Sequence, residues 1–270
     1  MPFSPPRPAR ASTVWAAALA LAALPGCATM VDDAVADAIS APTADVRALG
    51  GADPMPGDPH ASMTRLTRTQ PGDRARADRL LAETRRSIAR YRDVEDAVAD
   101  GYRPFPPEPT PGLQIIHYIH QQRSAAEQDV INPDAPGALL YERDGRGGLR
   151  LLGAMYTAPA DAPLAELDAR VPLSVTQWHL HQNVCVPRPI WDEAAWARTL
   201  AGGEAAFGPE SPTATPSACD QLGGRFLPTA FGWMAHLNVY ADDPADVWNA
   251  MYGHDSHDGM DHGSGAHDAH

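Results

Sequence analysis

Apolar residues recur along this chain with two different periods, and the change of period divides it. Between Gly72 and Asp100, the residues Ala77, Leu81, Thr84, Ile88 and Tyr91 fall at steps of three and four, with arginines on the opposite side. That spacing lines one face of an α-helix. Val94 and Val98 carry the pattern on, and Gly101 supplies a stop. The arginine face reads as solvated rather than as a binding patch. Beyond a proline-rich link from Pro104 to Pro111 the period shortens. Gln114–Gln121, Ala138–Arg143, Leu149–Thr157, Ser174–Val184 and Phe231–Tyr240 alternate or run apolar over strand lengths. Between the second and third of these lies Asp144-Gly145-Arg146-Gly147-Gly148, a glycine-rich turn that predicts a hairpin. Short helices are predicted at Asp192–Leu200 and Asp243–Ala250, with an irregular loop from Gly202 to Pro216. The expected class is α+β, a long N-terminal helix followed by an antiparallel β-sheet with short connecting helices.

The flanks have a different composition. Residues 28–70 are rich in Ala, Asp, Pro and Gly and poor in large apolar side chains, so 27–70 is expected to be a flexible tether. A single α+β domain is expected over 71–252, and a disordered His/Asp-rich tail over 253–270. The first 26 residues carry Arg7 and Arg10 without an acid, then a short apolar run from Val14 to Leu24 that ends in Leu24-Pro25-Gly26-Cys27. A basic start, a brief apolar core and a small residue before the cut describe a secretory signal, too short to span a bilayer. The segment resembles a bacterial lipoprotein signal. That resemblance implies lipidation of Cys27 and a membrane anchor. In lipoproteins an aspartate after the cysteine favours inner-membrane retention. Position 28 is alanine, so the resemblance implies the outer membrane, facing the periplasm.

The formal charge of −13 over 270 residues argues against a nucleic-acid partner. All 21 basic residues are arginine, which removes lysine nucleophiles, Schiff bases and P-loops. After Cys27 only Cys185 and Cys219 remain, and in an exported chain the pair reads as a disulfide before it reads as two metal ligands.

The histidines carry the candidate chemistry. Side chains alternate across a strand, so His179 and His181 share one face while Trp178 and Leu180 share the other. On the last strand His236 shares a face with Met234, Asn238 and Tyr240. His117 and His120 differ by three positions, so at most one joins a common site. Three imidazoles from neighbouring strands suit a transition metal, with copper or zinc preferred on ligand type. His117 and Glu142 are the candidate further ligands, Glu142 because the hairpin brings it near. Structural histidines bonded to the main chain, and metal-free acid–base use, are the competing readings. No His-Glu-x-x-His, Cys-x-x-Cys-His or Gly-x-Ser-x-Gly occurs, and no glutamate of the cupin kind follows His181. Five tail histidines from His254 onward, interleaved with aspartates, suit loose metal gathering or plain solubility. The tryptophans at 178, 191, 196, 233 and 248 read as core.

From Tyr91 to Trp248 the chain resembles a family of exported bacterial proteins of unassigned function. The likeness is carried by Leu139-Leu140-Tyr141-Glu142, Leu151 to Tyr156, Gln177 to Cys185 and Phe231 to His236. A fainter likeness, limited to the Leu140–Tyr156 hairpin and Trp178-His179-Leu180-His181, is to plant oil-body-associated proteins. The resemblance implies that the histidine strands are the shared feature and implies no substrate. Together these readings predict an envelope lipoprotein that binds copper or zinc through His179, His181 and His236. The alternatives are a metal-dependent enzyme of unknown substrate and a metal-free envelope scaffold.

Overall fold

The computed structural model describes residues 52–250, apart from 56, 57, 109, 112 and 145. The signal segment, Cys27, most of the expected tether and the histidine-rich tail lie outside the described residues.

Eight strands form one antiparallel sheet: β1 (Ala52–Pro54), β2 (Ala61–Thr64), β3 (Arg103–Phe105), β4 (Ile115–Ile119), β5 (Ala138–Arg143), β6 (Leu149–Ala158), β7 (His179–Val186) and β8 (Arg225–Leu237). Their lateral order is β1-β2-β7-β8-β6-β5-β4-β3. Helices α1 (Asp73–Ile88), α2 (Val94–Ala99), α3 (Gln121–Glu127), α4 (Leu164–Arg170), α5 (Glu193–Trp196) and α6 (Pro216–Gln221) fill the connections. The class is mixed α+β.

The hairpin signal at Asp144 lies between β5 and β6, where Asp144 Oδ1 accepts from the backbone of Arg146 and Gly148. Such an Asx turn orders a glycine-rich loop at little steric cost. The Gly72–Asp100 segment divides into α1, a 3₁₀ turn at Ala89–Tyr91 and α2. Asp93 caps α2 by accepting from Glu95 N. Thr84 of α1 is buried and its hydroxyl meets Tyr156 Oη at 2.6 Å, which seats the helix on β6.

Three expectations need correction. Ala52–Pro54 and Ala61–Thr64, assigned to the tether, form β1 and β2, and β2 pairs with β7. Their burial comes from lateral pairing rather than from large side chains, so composition does not reveal them. The expected strand at Ser174 begins only at His179, and the one at Phe231 starts earlier, at Arg225, and stops at Leu237. Beyond that stop the alternation fails. Tyr240 packs with Tyr91, Tyr156 and Val239 on the α1 side instead of joining His236.

The two faces of the sheet bury separate cores. The α1 side holds Tyr141, Tyr156, Trp178, Leu180 and Trp233 among others. The opposite side holds Met155, Met234, Leu140, Val184 and Leu227. Cys185 and Cys219 form a disulfide that ties α6 to β7, with a Cα–Cα distance of 5.5 Å.

The sheet curls toward this second side. Phe105 on the edge strand β3 stacks edge-on against Phe231 of β8, with centroids 5.2 Å apart, although four strand intervals separate them in the sheet. On a flat sheet that separation is about 19 Å.

The β7–β8 register shifts between Leu180 and His181: Leu180 opposes Trp233 and His181 opposes Ala230. Phe231 and Gly232 are the extra residues, with φ of 66° and 78°. A bulky side chain at positive φ is rare and costs strain, so tertiary packing holds it there. Gly232 is required because a Cβ would stand 2.4 Å from Ala158 O.

Candidate functional site

Cross-strand register decides which histidines meet. His179 on β7 opposes Met234 of β8, and His236 of β8 opposes Met155 of β6. Directly opposed residues share a face, so His179 and His236 both point to the concave side. On β4, His117 opposes Leu140 and lies two residues from Ile119, which opposes Ala138, itself opposite Met155. The same face therefore runs from β7 to β4.

Four imidazoles stand in file on it. His181 and His179 have ring centroids 5.4 Å apart, His179 and His236 are 4.7 Å apart, and His236 and His117 are 5.4 Å apart. His117 Nε2 and His236 Nε2 approach to 3.3 Å, hydrogen-bond distance in which the tautomers choose the donor. His179 and His236 are almost fully buried, whereas His117 and His181 are half-buried at the ends of the file. Among the described residues, no three His, Cys, Asp or Glu side chains converge as a group that could hold a metal ion. The rings make successive pair contacts rather than a tripod.

A cavity of about 60 Å³ adjoins the file, with His117 and His181 on its wall. The rest of the wall is apolar and includes Phe105, Trp196, Phe231, Met155 and Met234. The Phe231 bulge thus serves two ends, shifting the register at His181 and closing the cavity against β3.

The other candidates stand apart from the file. Glu142 opposes Ile115, two residues nearer the hairpin than Leu140, and forms an ion pair with Arg150 at 2.5 Å. His120 caps α3 by accepting from Arg123 N, and its ring lies edge-on to Tyr102. Of His117 and His120, His117 alone joins the cluster; His120 lies just beyond β4. His60 is buried in the β1–β2 connection, with Nε2 2.5 Å from Ser211 O and Nδ1 3.3 Å from Gln182 O. It is a structural histidine. Trp178, Trp196 and Trp233 are core, while Trp191 is exposed.

Sequence reasoning missed Glu127. It follows four residues after Arg123 in a polar stretch with no apolar period, yet it is fully buried. Its carboxyl accepts from Gly137 N at 2.5 Å, from Thr157 N at 3.2 Å and from Thr157 Oγ1 at 3.3 Å. Burial pushes its pKa up to about 7, against the opposing pull of those hydrogen bonds and of Arg170.

Nearby, Arg123 donates to Tyr91 Oη, Tyr102 Oη and Asp100 Oδ2. The Tyr91 hydroxyl and this guanidinium hold Asp100 below the usual carboxylate range. With Arg123 bonded to all three partners within the fold, this network reads as structural.

No helix among the described residues is long and apolar enough to cross a membrane. Comparison with protein-family models, with curated proteins and with solved structures returns no match to this chain.

Proposed function

We propose that this chain is an envelope lipoprotein that binds a transition-metal ion, copper or zinc, at the file of His117, His179, His181 and His236. The observation that carries this reading is the 3.3 Å separation of His117 Nε2 and His236 Nε2. Metal–nitrogen bonds of about 2.0–2.1 Å in tetrahedral geometry set neighbouring donors about 3.3–3.4 Å apart. Those two nitrogens already span one edge of such a site. A third nitrogen comes in this reading from His179, whose ring contacts that of His236, by rotation of the ring on binding. Glu142 would have to leave Arg150 to serve, and the reading does without it.

The exported setting is supported by the Val14–Cys27 segment. The five tail histidines would raise the local ion concentration, a gathering role that needs no fixed geometry.

The test is metal content of the purified mature chain, wild type against His179→Ala and His236→Ala. The expected result is loss of one equivalent in each variant, with tail-bound metal common to all. Equal metal in all three would refute the reading and leave the file as a metal-free hydrogen-bonded array.

A second reading, a metal-dependent enzyme, draws on the cavity beside His117 and His181. An ion there with an open coordination position would activate water or oxygen. Exogenous azide perturbing the spectrum of the cobalt-loaded protein favours it, and an unperturbed spectrum favours binding alone.

A further inference from the structure

The imidazoles are interleaved with two thioethers. Met155 lies directly opposite His236, and Met234 lies directly opposite His179 and two residues before His236 on β8. Directly opposed Cβ atoms on one face are about 5 Å apart, and methionine has three rotatable bonds with which to reach a neighbour. Both methionines are buried, at 3% and 2% exposure, and both line the cavity that His117 and His181 line.

We infer that the ion this site is built for is cuprous copper, held by at most four donors drawn from the imidazoles of the file and the thioether sulfurs of Met155 and Met234. The inference rests on the metal-binding reading above and narrows it to one ion and oxidation state.

Two physical arguments support it. Soft thioether donors select Cu(I) over Zn²⁺, whereas imidazole alone accepts either. Charge points the same way. None of the residues lining the cavity is acidic, so every donor at this site is neutral. A divalent ion would bring two uncompensated charges into an apolar wall, a monovalent ion only one. Because the Born cost scales with the square of the charge, the monovalent penalty is roughly a quarter of the divalent one. A structural zinc site would offset that cost with thiolates. Here the one pair of cysteines in the described fold is a disulfide, and Glu142 is engaged by Arg150.

The experiment compares the mature full-length chain with the Met155→Leu/Met234→Leu double variant. Cu(I) is supplied under ascorbate with bicinchoninate as competing chelator, and Zn²⁺ is titrated separately. Leucine nearly conserves the side-chain volume, and thermal unfolding verifies the fold. The tail, with its own histidines and Met260, is the same in both proteins and cancels.

Cu(I) affinity is expected to fall at least tenfold in the double variant while Zn²⁺ affinity changes less than twofold. Copper-edge X-ray absorption should lose a sulfur scatterer from wild type to variant. If the folded double variant keeps wild-type Cu(I) affinity while His179→Ala abolishes binding, the thioether inference is overturned and the imidazole site stands. Should wild type and His179→Ala bind both ions identically, the metal-binding reading falls and this inference falls with it.

Discussion

His117 on β4 and His236 on β8 meet Nε2 to Nε2 at 3.3 Å, although β5 and β6 lie between their strands. Across a flat sheet three strand intervals span about 14 Å, far more than two side chains standing perpendicular to the sheet can bridge to that distance. Curling therefore makes the cluster. The Phe105–Phe231 contact, the bulge at Phe231-Gly232 and the burial of Met155 and Met234 between the histidines all belong to the same curvature.

Because His117 and His236 supply one edge of the proposed site, either one alone should lose it. His117→Ala and His236→Ala are each expected to weaken Zn²⁺ binding on the order of 100-fold, and the double variant little more than either. Calorimetric titration of the four proteins measures this. Wild-type affinity in His117→Ala would put the ion elsewhere in the file.

The bulge makes Gly232 the least replaceable residue near the site. Gly232→Ala must place a Cβ 2.4 Å from Ala158 O at a φ of 78°, so either β6 moves or the bulge flattens. A loss of at least about 2 kcal/mol in denaturant unfolding is expected. The same substitution should disturb His181, whose register the bulge sets. An unchanged midpoint would show that the turn has more freedom than its packing implies.

Glu127 gives the fold a pH dependence of definite sign. Its folded pKa of about 7 stands above the ordinary 4.5 because burial disfavours the charged form. Between those values the folded protein keeps a proton that the unfolded chain has released, so stability falls as pH rises from about 4.5 to 7 and levels off above. The whole effect is on the order of 3 kcal/mol. Glu127→Gln cannot ionise, so its stability curve should be flatter than wild type across that window. Parallel curves for the two proteins would contradict the assignment.

The Cys185–Cys219 disulfide closes a sequence separation of 34 residues. The chain-entropy account credits such a loop with about 3.5–4 kcal/mol. Cys185→Ser/Cys219→Ser should lower the unfolding free energy by about that much while leaving the histidine file intact, since both sulfurs lie in the neighbouring core cluster. Equal stability of the oxidised and reduced proteins would show that the constraint is idle.

Much of the local structure is legible in the sequence. The Asp144–Gly148 turn marked the β5–β6 hairpin to within a residue, because turn chemistry and strand alternation are both short-range. Period-two alternation put His179 and His181 on one face, and the three-residue offset of His117 and His120 sent them to different surroundings. What escaped was lateral. Strands β1 and β2 carry almost no large apolar residues and exist because β7 offers an edge. Glu127 looks like any glutamate of a polar helix until Gly137 and Thr157 close over it. Met155 and Met234 read as ordinary core until register set each opposite a histidine.

By itself, then, the sequence determined the class of fold, the hairpin and the sharing of one strand face by His179 and His181, since each follows from spacing along the chain. Tertiary structure decided that His117 joins them and Glu142 does not. It also decided which faces bury the methionines, and where the cavity opens. Those outcomes depend on strand order and on how far the sheet bends, and contacts among residues more than a hundred positions apart set both.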